Sequence, residues 1–153
     1  MPHKKLIIVG SYEDSRHFQK YANYIHEIKP PNVEVLSWIE DSELIELYSN
    51  CIGFITTSID EDFGMTVVEA MSSGKPVIAP NDGGYMETII PNKTGILIDE
   101  IDEYKLIKAV NNIEKIGAET FKRECLKQAK KFDVNYFIKA IKNEIVQSIS
   151  QKL

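Results

Sequence analysis

Cysteine is scarce in this sequence. The 153 residues hold two, Cys51 and Cys125, far apart and without CxxC spacing, so neither a disulfide framework nor a zinc site is expected. Both fall on apolar faces and read as buried, inert thiols. Histidine is nearly as rare. His3, His17 and His26 have no ligand-like spacing to one another or to cysteine, and read as surface residues. No apolar run approaches the roughly 18 residues of a membrane span. The opening "MPHKK" has no hydrophobic stretch behind it, so no signal peptide is read and a cytoplasmic location is expected. Lys/Arg runs are absent, and the net charge of -5 argues against nucleic acid as a partner. With no internal repeat, low-complexity tract or linker either, residues 1–153 are expected to form one domain.

What is present is alternation. "KLIIVG" reads as a buried strand ending at Gly10. A helix comes next, with Phe18, Ala22, Ile25 and Ile28 at helical spacing, and "KPPN" stops it. "VEVLSW" is the next strand, and Trp38 at its end reads as packing. Asp41 or Ser42 then caps a helix burying Leu44, Leu47 and Tyr48. "CIGFITTS" is a third strand. After a further helix, closed by Gly74 and Pro76, "PVIAP" is a fourth. The turn "NDGG", the short helix "YMETII", the turn "PNKTG" and the strand "GILID" complete this part. From about 102 to 151 the pattern is helical, and Val134, Ile138, Ile141, Ile145 and Ile149 form a stripe read as core packing. Strands built as continuous apolar runs, each succeeded by a helix, indicate a doubly wound, Rossmann-like α/β fold, a parallel sheet with helices on both faces. Ligands of such sheets bind beyond the carboxyl ends of the strands.

One stretch leaves the carboxyl end of the third strand and enters a helix: "DEDFGMTVVEAM", residues 60 to 71. Gly64 permits a tight turn, so the helix is expected to start near Met65 or Thr66. Glu61 is then on the loop and Glu69 one turn inside the helix. Between them, the N–H groups of Gly64, Met65 and Thr66 are expected to face a cleft unpaired, a cradle for phosphate. Ionised carboxylates flanking an anion site repel it unless they point at something else. Vicinal hydroxyls suit them, because a carboxylate accepts from two O–H donors. A sugar at one end, a ribose at the other and phosphate between would fit. The alternative is a solvated acidic loop at Asp60, Glu61 and Asp62, with Glu69 complementing the helix dipole. Spacing alone leaves both open.

Residues 61 to 99, "EDFGMTVVEAMSSGKPVIAPNDGGYMETIIPNKTGILID", resemble the signature region of the retaining glycosyltransferases of family 4. Glu61 and Glu69 match that family's E-x7-E pair. "EAMSSGKPVIA" and "GGYMETI" match the family's segments on the C-terminal side of the pair, and "VEVLSWIEDSELIELYSNC" resembles the strand and helix on its N-terminal side. The likeness implies a GT-B fold and, within it, the C-terminal domain that binds the nucleoside-diphosphate sugar, of the GDP-mannose or UDP-sugar type. It implies that Glu69 bonds the ribose hydroxyls, and that Glu61, the catalytic candidate, meets the transferred sugar near its reacting carbon. Backbone N–H groups of Phe63, Gly64, Met65 and Thr66 would hold sugar and distal phosphate, and the turn at Ile39 would meet the base. The turn at Asp82, Gly83 and Gly84 would line the same cleft. Transfer would proceed with retention, mannosyltransferase-like, without metal or other cofactor.

The sequence also departs from that pattern. The strand-helix unit that precedes "KLIIVG" in the family's C-terminal domain is not found, nor is the loop whose Arg and Lys grip the donor phosphates. "GSYEDS" lacks the usual second glycine, and Lys75 lies at the wrong end of the helix. The chain is therefore expected to need an N-terminal acceptor domain or full-length partner. Its open sheet position would be filled by direct pairing of the first and third strands or by a second copy, as in a homo-oligomer. Two rival readings are a non-catalytic nucleotide-binding or interaction module and a receiver-like signalling domain. The latter needs an acceptor Asp at the end of its central strand, where "CIGFITTS" ends in Thr and Ser.

Overall fold

Every strand pairing among the described residues is parallel, as the continuous apolar runs require. The structure, a computed structural model, describes residues 1–10 and 16–150. The loop with the missing glycine, and the side chains of His17 and Phe18, lie outside the described residues. The strands form two hydrogen-bonded sheets. In the first, β1 (Leu6–Val9) pairs with β2 (Val33–Leu36), Leu6 opposite Val33. In the second, β4 (Val77–Pro80) lies between β3 (Phe54–Ile55) and β5 (Gly95–Ile98), with Val77 opposite both Phe54 and Gly95.

The chain clusters into two compact units, Met1–Glu46 and Leu47–Leu153. The first holds β1, α1 (Arg16–Ile28) and β2, and α2 (Asp41–Asn50) carries the chain into the second. None of the first unit's described residues is buried. Leu6, Ile8 and Val9 are 42%, 40% and 39% exposed. This corrects the reading of "KLIIVG" as a buried strand, because the described residues of the first unit build no buried layer over its faces. Trp38, read as packing, is likewise open at 68%. His3 and His26 are exposed, as expected.

The second unit carries the core. β3 leads to α3 (Met65–Ser72), and β4 to α4 (Tyr85–Thr88); after β5 come α5 (Glu103–Ile116), α6 (Ala118–Ala129), a single 3-10 turn at Lys130–Phe132 and α7 (Val134–Ser150). All of β4 is buried, with Val67, Ala70 and Met71 of α3 and Ala109 and Ile113 of α5 among the residues it shares the core with. Each large apolar side chain so removed from water contributes about 1.5–3 kcal/mol. Asp102 starts α5 by accepting the Lys105 N–H at 2.7 Å, a side-chain cap. Phe121 and Cys125 of α6 complete the buried layer. The α7 stripe is a correction. Val134, Ile138, Ile141, Ile145 and Ile149 are 44% to 63% exposed, and no residue of α7 is buried, so the amphipathic pattern marks a free face and not core. No helix of the described residues is long and apolar enough to cross a membrane.

Candidate functional site

The loop from Thr56 to Gly64 connects the end of β3 to α3, and the turns of its second half have local causes. Asp60 takes a left-handed backbone, φ 58°, which Asp tolerates better than most residues. Its N–H donates to Asp82 Oδ2 at 2.9 Å. Gly64 reverses the chain into α3 with φ 79° and ψ 59°. A Cβ there would lie 2.7 Å from the Tyr85 ring, so the position demands glycine for space as well as for backbone. The helix begins at Met65, as the sequence indicated.

The two glutamates are held differently. Glu61 Oε1 accepts the Gly64 N–H at 3.1 Å, and Glu61 O accepts the Gly84 N–H at 2.8 Å. The loop carboxylate thus caps the turn that leads into the helix. This corrects one expectation: the Gly64 N–H is not open, because the carboxylate one turn back reaches it first. Among the described residues, no acceptor takes the N–H of Phe63, Met65 or Thr66. Glu69, half-buried inside α3, has its Oε2 bonded by the Tyr48 hydroxyl at 3.2 Å. Tyr48 is itself buried, stacked edge-on against Phe54 at 5.8 Å. Each carboxylate therefore has one oxygen fixed by the protein, on either side of a helix N-terminus with open donors.

Further residues that spacing did not single out as parts of the site hold the loop in place. The Phe63 ring meets Phe132 of the 3-10 turn edge-on, 5.4 Å between centroids. Tyr85 Oη and Thr56 Oγ1 lie 3.0 Å apart, tying α4 to the end of β3. Gln128 Nε2 donates to Thr88 O at 3.0 Å, anchoring the far end of α4. Tyr48, read only as core, is the one whose contact reaches a site carboxylate. None of these pairings has a local sequence signal, because each joins residues at least 21 positions apart. Ile39 sits half-buried in the turn between β2 and α2, in the first unit, whereas all the other candidate residues belong to the second. Lys75 lies just past the C-terminal end of α3. Among the described residues, no three His, Cys, Asp or Glu side chains are grouped to hold a metal ion.

Two buried protons give a pH signature. Burial, with the charge of Glu124 adding, pushes the Cys125 thiol from its ordinary 9.0 up to about 12. Burial, with the charge and hydrogen bond of Glu69 adding, pushes the Tyr48 phenol above its ordinary 10.0. Cys51, half-buried, is raised chiefly by burial as well. The folded chain keeps these protons where the unfolded chain releases them. The stability they contribute is complete below the unfolded values and is lost as pH rises through the folded ones. Thermal melts should accordingly hold steady near neutrality and fall from about pH 9 upward. Cys125→Ala, although it lowers the baseline, should flatten that fall between about pH 9 and 12.

The profile of the family described as glycosyl transferases group 1 matches residues 2–132. An alpha-1,3/1,6-mannosyltransferase of Dictyostelium discoideum is 38% identical over 98 residues, covering 60% of this chain and 23% of that protein. A GDP-mannose-dependent alpha-mannosyltransferase of Mycobacterium tuberculosis is 39% identical over 72 residues, covering 46% of this chain and 19% of its own. Among solved structures, HepE of Anabaena in complex with UDP superposes with a TM-score of 0.78 at 28% identity, covering 99% of this chain and 42% of HepE. The same protein in complex with UDP-glucose gives 0.75 at 26% identity, over 99% and 42% of the two chains. The chain thus spans about a quarter or less of the two enzymes and under half of HepE. Its fold is the α/β type of the GT-B glycosyltransferases. By family, residues 2–132 place this chain among the group 1 glycosyl transferases.

Proposed function

We propose that this chain is the donor-binding part of a glycosyltransferase that moves a sugar from a nucleoside diphosphate to an acceptor with retention. The observation that carries the reading is the placement of Glu61 and Glu69 about the open start of α3, each with one oxygen fixed. A carboxylate held by one oxygen presents the other as an acceptor, which suits paired hydroxyls. Glu69 would take the ribose hydroxyls, and Glu61 those of the transferred sugar. The N–H groups of Phe63, Met65 and Thr66 would receive phosphate and sugar oxygens. Gly64 would contribute the turn, since its own N–H is engaged.

The relatives support the donor class. The mycobacterial enzyme is named for GDP-mannose, and HepE is seen with UDP and with UDP-glucose. The leaving diphosphate would be stabilised by the partial positive charge of the α3 N-terminus, without a metal ion. Because the chain spans so little of its enzymatic relatives, acceptor binding and turnover belong in this reading to a longer protein or a partner. Titrating UDP and GDP into the chain by calorimetry tests the reading. Binding should survive excess EDTA. Loss of binding with EDTA and recovery with Mg²⁺ would make Asp60 and Asp62 metal ligands and overturn the metal-free assignment.

A further inference from the structure

Glu69 is the one candidate carboxylate gripped by a side chain from another element. Tyr48, near the end of α2, brings its hydroxyl to 3.2 Å from Glu69 Oε2 and 3.5 Å from Thr66 O. The phenol is 8% exposed and packs against Phe54, so its direction is set by the core. A neutral phenol has one proton to give, and an ionised carboxylate is the stronger of the two acceptors. We propose that Tyr48 is a positioning residue for donor recognition: it fixes the Glu69 carboxylate by one oxygen, so that Oε1 is held ready for the ribose hydroxyls. The inference rests on the donor-binding function proposed for this chain and adds to it the group that selects the rotamer of Glu69. Without that hydrogen bond, a glutamate on the first turns of a helix is free to sample several staggered rotamers, and the ribose must select one of them on binding.

The test uses the chain itself with two probes, UDP and its 2′-deoxyribose analogue, which lacks one of the two hydroxyls. Tyr48→Phe keeps the ring and its packing on Phe54 and removes only the donor. It should remain folded by thermal melt, lose about three- to tenfold in UDP affinity, and lose less with the deoxy analogue, which keeps only one of the two hydroxyls. Its preference for ribose over deoxyribose should shrink accordingly. Equal losses for both probes would mean a merely structural role and overturn the proposal. Glu69→Gln separates the positioning role from the donor site itself. It should remove the ribose preference, and adding Tyr48→Phe should then change nothing further. If Glu69→Gln leaves the preference intact, the donor reading fails and this inference falls with it. If Glu69→Gln removes the preference while Tyr48→Phe preserves it, the positioning role alone is overturned.

A second measurement needs no ligand. In chain labelled at the tyrosine Cζ carbon, the Tyr48 resonance, assigned by its loss in Tyr48→Phe, should move at neutral pH when Glu69 is changed to Gln. An unmoved resonance would show that the phenol does not donate to Glu69, which overturns the proposal whatever the affinity for UDP.

Discussion

Gly84→Ala is expected to destabilise the chain by about 1–3 kcal/mol, the usual range for forcing atoms into a packed site, and to abolish nucleotide binding. Gly84 is buried, and its N–H donates to Glu61 O at 2.8 Å. An added Cβ would meet Asp62 O and would lie 2.5 Å from Phe63 Cα and 2.7 Å from Asp62 C. All of these are backbone atoms, so no side-chain rotation relieves the overlap. The loop that carries Glu61 must move, and the Phe63 ring leaves Phe132 with it. A loss of that size corresponds to a melting temperature lowered by several degrees, about 2–4 °C for each kcal/mol in a chain of this length. Gly10→Ala supplies the control, since no described residue lies within 4 Å of its added Cβ. If Gly84→Ala melts and binds as Gly10→Ala does, α4 is not what braces the loop.

Glu69→Gln should cost about 1.5–3 kcal/mol in affinity for any nucleotide that contains ribose, the range for a hydrogen bond to a charged group. That is roughly ten- to hundredfold. Tyr48 Oη then faces an amide in place of a carboxylate, so part of the loss comes from the altered grip of the phenol. Glu61→Gln should differ in kind. It sits on the loop at the other side of the helix start, and should spare free UDP or GDP while weakening the sugar-bearing form. Calorimetry with nucleoside diphosphate and nucleotide-sugar, on both variants, separates the two. Equal losses for both ligands in both variants would contradict the assignment of one carboxylate to ribose and the other to sugar.

The parts of this molecule that were legible in the sequence are the local ones. Continuous apolar runs identified β4 and β5, which are buried or nearly so, and Gly64 located the start of α3 to within a residue. What was not legible depended on partners. The run "KLIIVG" is as apolar as a buried strand, yet β1 has one paired edge and its side chains are open. The α7 stripe has the period of a core helix but is exposed along its length. Periodicity reports which face of an element is apolar, not whether anything covers it. The Glu61–Glu69 spacing admitted both a ligand site and a solvated loop. The contacts that hold the two glutamates, Tyr48 on Glu69 and Gly84 on Glu61, come from residues brought together only by the packing of α2, α3 and α4.

The central claim is that the start of α3 receives a nucleotide-sugar. Backbone amide NMR of the labelled chain, titrated with UDP-glucose and with GDP-mannose, addresses it most directly. The amides of Phe63, Met65 and Thr66 should shift first and furthest with at least one of the two ligands, and Glu69→Gln should suppress those shifts. Shifts confined to other surfaces, such as the lysine-lined cleft formed by Lys4, Lys5 and Lys29, or none at all with either ligand, would contradict it.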